Sequence, residues 1–268
     1  STASDGALPP AGAVQAAHAA GLAAFALTDH DTLAGIPEAQ ATADALGLRL
    51  VPGVELSVHR DSDEVHVLGL HIRDVDALQA RLETFRGFRR TRAERMVEKL
   101  NGAGIPVSFD AVLAESAGGA IGRPHVARAL VAGGWVKDLR EAFDRWLAAG
   151  KPAYVDKERL DIADGIAMIH EAGGIAVYAH PGSEGRRETI EPLVAVGLDG
   201  IEVRHPSHSR EDELRLASLA AFFGLVVSGG SDWHGAMHGT RVLGAMKVPS
   251  SWLDLQDRRV RERRGQGA

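Results

Sequence analysis

Residues 21–31, with the sequence GLAAFALTDHD, show the pattern on which the fold of this chain depends. A helix that starts at Pro9 and Pro10 is expected to end at Gly21, and the apolar run from Leu22 to Leu27 is typical of a short buried strand. The polar residues Thr28-Asp29-His30-Asp31 follow at once. This segment therefore indicates a helix, a strand and then polar side chains at the carboxyl end of that strand.

The same alternation of helix and strand recurs along much of the chain. Further helices are predicted at 37–46, 162–171, 190–196 and 211–223, and further strands at 48–51, 64–72, 175–178, 200–203 and 225–228. Strands that alternate with helices of about ten residues are typical of a parallel α/β barrel, in which functional groups gather at the carboxyl ends of the strands. We therefore predict an α/β barrel.

The alternation is interrupted between residues 75 and 150. This segment is rich in Arg, Ala and Leu, and it predicts helices at 76–85, 88–101, 123–132 and 139–149 with glycines between them. We interpret residues 75–150 as a helical insertion domain between two barrel segments, 1–74 and 151–250. Residues 251–268 are expected to form a C-terminal tail, whose charge run is a solvated end rather than a nucleic-acid-binding arm.

Composition narrows the class of protein. The 268 residues are 45% hydrophobic and 25% charged, which is ordinary for a globular enzyme, and a net charge of −6 gives no general attraction for nucleic acid or anionic membrane. No apolar run approaches the roughly 20 residues of a membrane span. The absence of cysteine excludes disulfides and thiolate metal sites. We expect a cytoplasmic protein with no membrane partner and no large nucleic-acid surface.

Acidic and imidazole side chains stand at or just after several predicted strands. These candidate ligands are His30, Glu55, His66, His180, Asp232 and His234. A histidine taken alone is more often a structural residue, but such groups at successive strand ends favour a site for several divalent metals with nitrogen and oxygen ligands. Asp29 and Asp31 are interpreted as groups that orient a ligand or cap a turn.

Basic side chains form a second candidate feature. In the predicted helix 88–101, Arg89, Arg92, Arg95 and Lys99 recur at spacings of three and four and therefore share one face. This face is either a phosphate-binding surface or a solvated face paired with glutamates. Other basic candidates follow a predicted strand or open a predicted helix, where anions bind readily: Arg123, His125, Arg204, His205 and His208.

In this order, the motifs resemble those of the PHP (polymerase and histidinol phosphatase) superfamily over almost the whole chain. The matching pieces are Ser4-Asp5-Gly6, Thr28-Asp29-His30-Asp31, Pro52-Gly53-Val54-Glu55, His66, His180-Pro181 and Ser231-Asp232-Trp233-His234. The stretches 89–95, 122–125, 150–154 and 200–203 resemble the subgroup of bacterial 3',5'-nucleoside bisphosphate phosphatases, which is also linked to 5'-to-3' exonuclease action on short RNA. The resemblance implies a distorted (β/α)7-type barrel with a helical insertion.

The resemblance also implies three divalent metals, with Mn favoured and Fe or Zn as alternatives. Glu55 and Asp232 would hold the first metal together with a histidine pair that the family carries ahead of Asp5. Glu55, His66 and His180 would hold the second, and Asp5, His30 and His234 the third. We expect that a leading segment with the His-x-His strand was trimmed from this chain.

The implied reaction is hydrolysis of the 3'-phosphate of a nucleoside 3',5'-bisphosphate, with the 5'-end of a short oligonucleotide as a second expected substrate. The predicted catalytic residues are Asp5, Glu55, Asp232 and His205, and the predicted substrate-binding residues are Arg92, Arg95, Arg123, His125, Arg204 and His208. Three alternatives remain open: another phosphatase of the superfamily such as a histidinol-phosphate phosphatase, C–N bond hydrolysis on a similar metal barrel, and a non-catalytic metal-binding module.

Overall fold

A computed structural model describes residues 1–61, 63–116, 121–156, 160–235 and 238–266. The chain divides into two compact units, which we call the barrel unit (Ser1–Gln79 and Leu160–Ala268) and the insert unit (Ala80–Arg159). Among the described residues, no helix combines the length and the apolar character that crossing a membrane requires.

The described part of the barrel unit contains one curled sheet of six strands, which forms half a barrel. Its strands follow one another in chain order: β1 (Ala24–Leu27), β2 (Arg49–Arg60), β3 (Asp63–Leu70), β4 (Ile175–Tyr178), β5 (Gly200–Arg204) and β6 (Val226–Gly229). The pairs β1 with β2, β4 with β5, and β5 with β6 are parallel, whereas β3 is antiparallel to both of its neighbours.

The predicted α/β barrel class is confirmed, but the orientation of β3 differs from a purely parallel barrel. β2 ends at Arg60 and β3 begins at Asp63. So short a connection joins only antiparallel neighbours, because a parallel pair needs a crossover of about a dozen residues or more.

β2 is also longer than the strand predicted at 48–51. Gly53 lies inside it, where an added Cβ would come within 2.8 Å of the Thr28 side chain and 3.0 Å of the Gly69 carbonyl oxygen.

The helices of the described residues are α1 (Pro10–Ala19), α2 (Ile36–Leu46), α3 (Val75–Gly102), α4 (Phe109–Ser116), α5 (Arg123–Ala132), α6 (Leu139–Ala142), α7 (Ile162–Glu171), α8 (Arg187–Ala195), α9 (Arg210–Phe223) and α10 (Ser250–Gln266). Local signals set several of these bounds. Ser209 and Asp212 form a reciprocal capping box at the start of α9, and Gly224, with φ of 64°, ends it.

The C-terminal charge run is not the solvated end that its composition predicts. It forms α10, in which Val260 is buried against Val226, Ile175 and other sheet residues. Its arginines bind backbone carbonyls: Arg259 Nη2 donates to Gly224 O at 2.6 Å, and Arg264 Nη2 donates to His71 O at 3.1 Å. The charges are visible in the sequence, but their partners lie far away along the chain.

The insert unit has its own apolar core. Met96, Leu100, Val112, Leu130 and Leu147 are all buried in it. Where the sequence predicts two helices separated near Gly87, the single helix α3 continues, because one internal glycine costs a helix only about 1 kcal/mol. The helix predicted at 139–149 is α6 followed by a π-helical turn at Phe143–Leu147.

Candidate metal centre

Glu55 is the centre of a cluster of histidines in the barrel unit. Its Oε1 lies 2.8 Å from His66 Nδ1 and 3.0 Å from His180 Nε2, and its Oε2 lies 4.0 Å from His30 Nε2. His66 comes from β3, His180 follows β4, and His30 follows β1 and forms an isolated bridge with Glu55. Neighbouring strands therefore deliver these groups to one point.

Hydrogen bonds within this cluster shift the pKa of Glu55 and the pKa of His180. Burial alone would raise the pKa of Glu55, but hydrogen bonds from His180 and His66 hold it well below its usual range. The hydrogen bond to Glu55 in turn raises the pKa of His180. A carboxylate that gathers imidazole nitrogens in this way can exchange the shared protons for a metal cation, because metal ligands bind in their deprotonated forms.

A second cluster shares His30 with the first. Asp5, His30 and His234 each offer a ligand atom, and these atoms lie within 4.8 Å of one another. His234 Nε2 is 3.4 Å from Asp5 Oδ2, and both side chains are exposed at the rim. The structure thus brings together the residues predicted for the third metal.

Asp232 lies next to this second cluster. Its Oδ1 is 3.5 Å from His234 Nδ1, and its Oδ2 is 3.4 Å from His205 Nε2. Its φ of 47° lies in the left-handed region, which costs a non-glycine residue on the order of 1–3 kcal/mol and persists where the surroundings impose it. Arg241 Nη1 also contacts Asp232 Oδ2. No motif in the sequence marks Arg241, so sequence reasoning missed it.

His205 is buried beside Asp232, and burial lowers its pKa. Ser207 N donates to His205 Nδ1 at 3.2 Å, so the neutral ring carries its hydrogen on Nε2. Among the described residues, Nε2 is a buried atom with no hydrogen-bond partner. Asp232 Oδ2 lies 3.4 Å away without completing a hydrogen bond to Nε2, so this donor can still bind an oxygen of a ligand.

His208 and Arg204 make internal contacts rather than facing an open site. His208 Nδ1 lies 2.8 Å from Val203 O, and its Nε2 accepts from Gly182 N at 3.1 Å, so both ring nitrogens are engaged. The Arg204 guanidinium contacts the backbone carbonyl of Lys247 and lies 5.2 Å from the Trp252 ring centroid. The substrate-binding roles of Arg204 and His208 stay predictions.

The two aspartates that flank His30 hold its loop in place. Asp31 Oδ1 accepts from Ser57 N at 2.8 Å, and buried Asp29 accepts from Ser4 Oγ at 2.9 Å. The backbone of the loop also pairs with β2, where Asp31 N donates to Glu55 O at 3.0 Å. Both side chains therefore hold the backbone of the loop that carries His30, and their role as groups that orient a ligand stays a prediction.

A cavity of about 620 Å³ opens beside the clusters within the barrel unit. Its lining combines candidate ligands, including Asp5, His30 and Glu55, with apolar residues such as Phe25 and Trp252.

The predicted substrate-binding residues of the insert unit make contacts within that unit. Arg92 Nε donates to Val155 O at 2.8 Å, and the Arg123 guanidinium lies 5.8 Å from the Tyr154 ring centroid. His125 Nδ1 accepts from Gly122 N at 2.8 Å, and burial lowers the pKa of His125. The substrate-binding roles of Arg92, Arg95, Arg123 and His125 stay predictions. The side chain of Arg89 lies outside the described residues.

The donor set of the barrel unit fits divalent metals. Imidazole nitrogens combined with carboxylate oxygens suit Mn, Fe and Zn, and two groups of three such ligands, Asp5 with His30 and His234, and His30 with Glu55 and His66, converge in the part of the chain that the structure describes.

Comparison with known proteins gives the family. The sequence model of the PHP domain matches residues 1–156, which is more than half of the chain. The chain belongs to the PHP domain family. The resemblance predicted from the motifs is therefore confirmed.

Three similar proteins are named for the cleavage of phosphoester bonds or of RNA. A 5'-3' exoribonuclease of Haemophilus influenzae is 40% identical over 261 residues, which cover 95% of this chain and 90% of that protein. A 3',5'-nucleoside bisphosphate phosphatase of Chromobacterium violaceum is 41% identical over 248 residues, which cover 90% and 87%. A crystal structure from Bifidobacterium adolescentis, described as a metal-dependent phosphoesterase, is 34% identical with a TM-score of 0.69 and matches 94% of this chain and 91% of its own.

Proposed function

We propose that this protein is a metal-dependent phosphoesterase that hydrolyses the 3'-phosphate of nucleoside 3',5'-bisphosphates and leaves the 5'-monophosphate. The observation that carries the proposal is the convergence of imidazoles on the Glu55 carboxylate, at 2.8 Å from His66 and 3.0 Å from His180. The names of the similar proteins support the substrate class.

In this proposal, Glu55, His66 and His180 hold one metal, Asp5, His30 and His234 hold another, and Asp232 with Glu55 contributes to a third. Mn is favoured, and Fe and Zn also suit these donors. When bound, such ions lower the pKa of water and neutralise charge that develops on the phosphoryl oxygens.

His205 is proposed to assist the oxygen that leaves the phosphorus by donating a hydrogen bond to it from Nε2. Its Nε2–H points toward Asp232, at 3.4 Å from Oδ2, and Ser207 holds the ring in this tautomer. Negative charge develops on the leaving oxygen, and a hydrogen-bond donor already in place there lowers the barrier, while water supplies the proton that the departing alkoxide takes up.

The arginines of the insert unit are proposed to bind the phosphate that is not hydrolysed. Arg92, Arg95 and Arg123, with His125, supply planar or ring N–H donors that suit phosphate oxygens. Binding a remote phosphate orients the scissile one, and such positioning contributes to the rate.

The direct test is phosphate release from adenosine 3',5'-bisphosphate by the full-length natural polypeptide. We expect release that depends on Mn²⁺ and is abolished by a chelator, with adenosine 5'-monophosphate as the nucleotide product by chromatography. Adenosine 5'-monophosphate serves as the control substrate and should yield no phosphate. Adenosine 3'-monophosphate as the product, or no release from protein with metal bound, would contradict the proposal, and release from histidinol phosphate alone would favour that alternative.

A second activity is favoured by the similarity to the exoribonuclease of Haemophilus influenzae. Removal of a 5'-nucleotide from short RNA breaks the same 3'-oxygen-to-phosphorus bond as hydrolysis of the bisphosphate, so the same ligand set could perform both. Incubation with a 5'-phosphorylated RNA trimer should release nucleoside 5'-monophosphates one at a time from the 5'-end.

Replacement of Arg92 by Ala tests the proposed phosphate-binding arginines. A hydrogen bond to a charged group contributes about 1.5–3 kcal/mol, so we expect KM for the bisphosphate to rise about tenfold or more while kcat changes little. Arg90→Ala is the matched control, because Arg90 lies on the same helix, pairs with exposed Glu94 and lies over the Phe109 ring. An unchanged KM in a folded Arg92→Ala variant would remove Arg92 from the site.

A further inference from the structure

The turn that carries His180 is held in an unfavourable backbone conformation. Its φ of 29° lies in the left-handed region, which a residue with a side chain seldom adopts. The imidazole nevertheless reaches Glu55, with Nε2 3.0 Å from Oε1. A strained residue costs on the order of 1–3 kcal/mol and keeps its geometry only where its surroundings impose it.

Glu202 holds the turn at His180 itself. This carboxyl group is buried, comes from β5, and accepts from the backbone N–H of His180 at 2.8 Å. A buried backbone donor without an acceptor costs about 1–3 kcal/mol. Glu202 supplies this acceptor to the N–H group of the strained residue, His180.

His208 and Arg215 hold the same turn two residues later. His208 Nε2 accepts from Gly182 N at 3.1 Å, and Arg215 Nη2 donates to Gly182 O at 2.7 Å, so both backbone polar groups of Gly182 are engaged by side chains. His208 is tied through Nδ1 to Val203 O at 2.8 Å, and Arg215 Nε donates to Gly185 O at 3.1 Å. Leu216 packs closely against Gly185 of the same segment. A Cβ added to Gly185 would lie only 2.3 Å from Leu216 Cδ2.

These partners come from β5, the loop after it, and α9, and they do not include any of the clustered metal ligands. We propose that Glu202, His208 and Arg215 are positioning residues that hold the His180 turn in its strained form and so aim His180 at the metal site. This inference rests on the proposed function, since it assigns a role toward the metal that His180 would bind.

Metal binding by purified protein tests this role without reference to turnover. Mn²⁺ affinity and stoichiometry are measured by equilibrium dialysis of metal-stripped wild-type protein, Glu202→Ala and Glu202→Gln. Loss of a group that orients a ligand weakens metal binding by about 10–100-fold, so Glu202→Ala should lose affinity to that extent at one site. Glu202→Gln keeps an oxygen acceptor for His180 N and should remain within about threefold of wild type. Rescue by Gln separates positioning from a role of the negative charge.

The control variant is Glu213→Gln. Glu213 lies on α9, as Arg215 does, but it pairs with exposed Arg210 and not with the His180 turn. His208→Ala and His208→Gln form a second pair at a half-buried position in case Glu202→Ala does not fold, and Gln at this position can again accept from Gly182 N. Unchanged metal affinity in folded Glu202→Ala and His208→Ala would overturn the inference alone. Wild-type protein that binds no Mn²⁺ would overturn the proposed function, and the inference with it.

Discussion

Replacement of Glu55 by Gln is expected to lower kcat/KM for the bisphosphate by roughly a thousandfold or more. Glu55 is the group on which His66, His180 and His30 converge, and its amide analogue can neither carry the negative charge nor bridge two cations. Bound metals lower the activation free energy of phosphoryl transfer by several kcal/mol, and each 1.36 kcal/mol of activation free energy is a factor of ten in rate.

The measurement is steady-state hydrolysis at saturating Mn²⁺, combined with metal content of the dialysed protein. Glu188→Gln is the matched control, because Glu188 is an exposed glutamate in the first turn of α8. Melting temperatures of the metal-free proteins distinguish a lost metal site from a lost fold. A folded Glu55→Gln variant with the metal content and turnover of wild type would contradict the assignment of Glu55.

Replacement of Asp199 by Asn should cost the barrel unit about 3–5 kcal/mol of unfolding free energy. The side chain of Asp199 is fully buried and joins three elements: it accepts from Ala176 N at 2.9 Å, lies 2.8 Å from His170 Nε2, and pairs with Arg263 of α10. Removal of its charge leaves the arginine and the histidine without their shared partner.

Thermal unfolding of the metal-free protein measures this effect, and the melting temperature should fall by roughly 10 °C. Asp257→Asn is the control, because Asp257 also pairs with an arginine, Arg49, but in a solvent-exposed pair that contributes only about 0–1 kcal/mol. Equal small losses for both variants would show that Asp199 does not hold α10 to the sheet.

The stabilisation that the Asp199 carboxylate contributes to the folded protein should also depend on pH, and it should be lost at low pH. Burial alone would raise the pKa of Asp199, but hydrogen bonds from His170, the Ala176 N–H and Arg263 bring it below its ordinary value. A carboxyl group with a lowered pKa in the folded state stabilises the protein fully above its unfolded pKa of about 3.9 and loses that stabilisation as the pH falls through the folded value. The difference between wild type and Asp199→Asn should therefore be constant near neutral pH and shrink below about pH 4.

Short-range patterns predicted many elements with accurate bounds. The helix at 123–132, the helix at 162–171 and the strand at 175–178 coincide with α5, α7 and β4. These elements begin and end at local signals, such as Asp161, whose side chain caps α7 by accepting from Ala163 N. Several candidate ligands could be named for a related reason, since His30 and His180 follow the apolar runs that form β1 and β4, and Glu55 and His66 lie within β2 and β3.

Contacts across the fold could not be predicted in this way. No local pattern joins Glu202 to the backbone of His180, because the two residues belong to different strand ends. The basic character of residues 257–264 is plain in the sequence, but their binding to Asp199, Gly224 and His71 depends on where α10 packs.

The amino-acid sequence thus specifies the helices and strands, the family and the chemical character of the site, since these depend on periodicity, caps and residue type within short windows. The antiparallel β3, the docking of α10, and the approach of Glu55 to His66 and His180 arise from the tertiary fold. They depend on strand order and on burial shared by distant segments, such as the 125 positions between Glu55 and His180 and the 193 between His71 and Arg264, and no short window contains both partners.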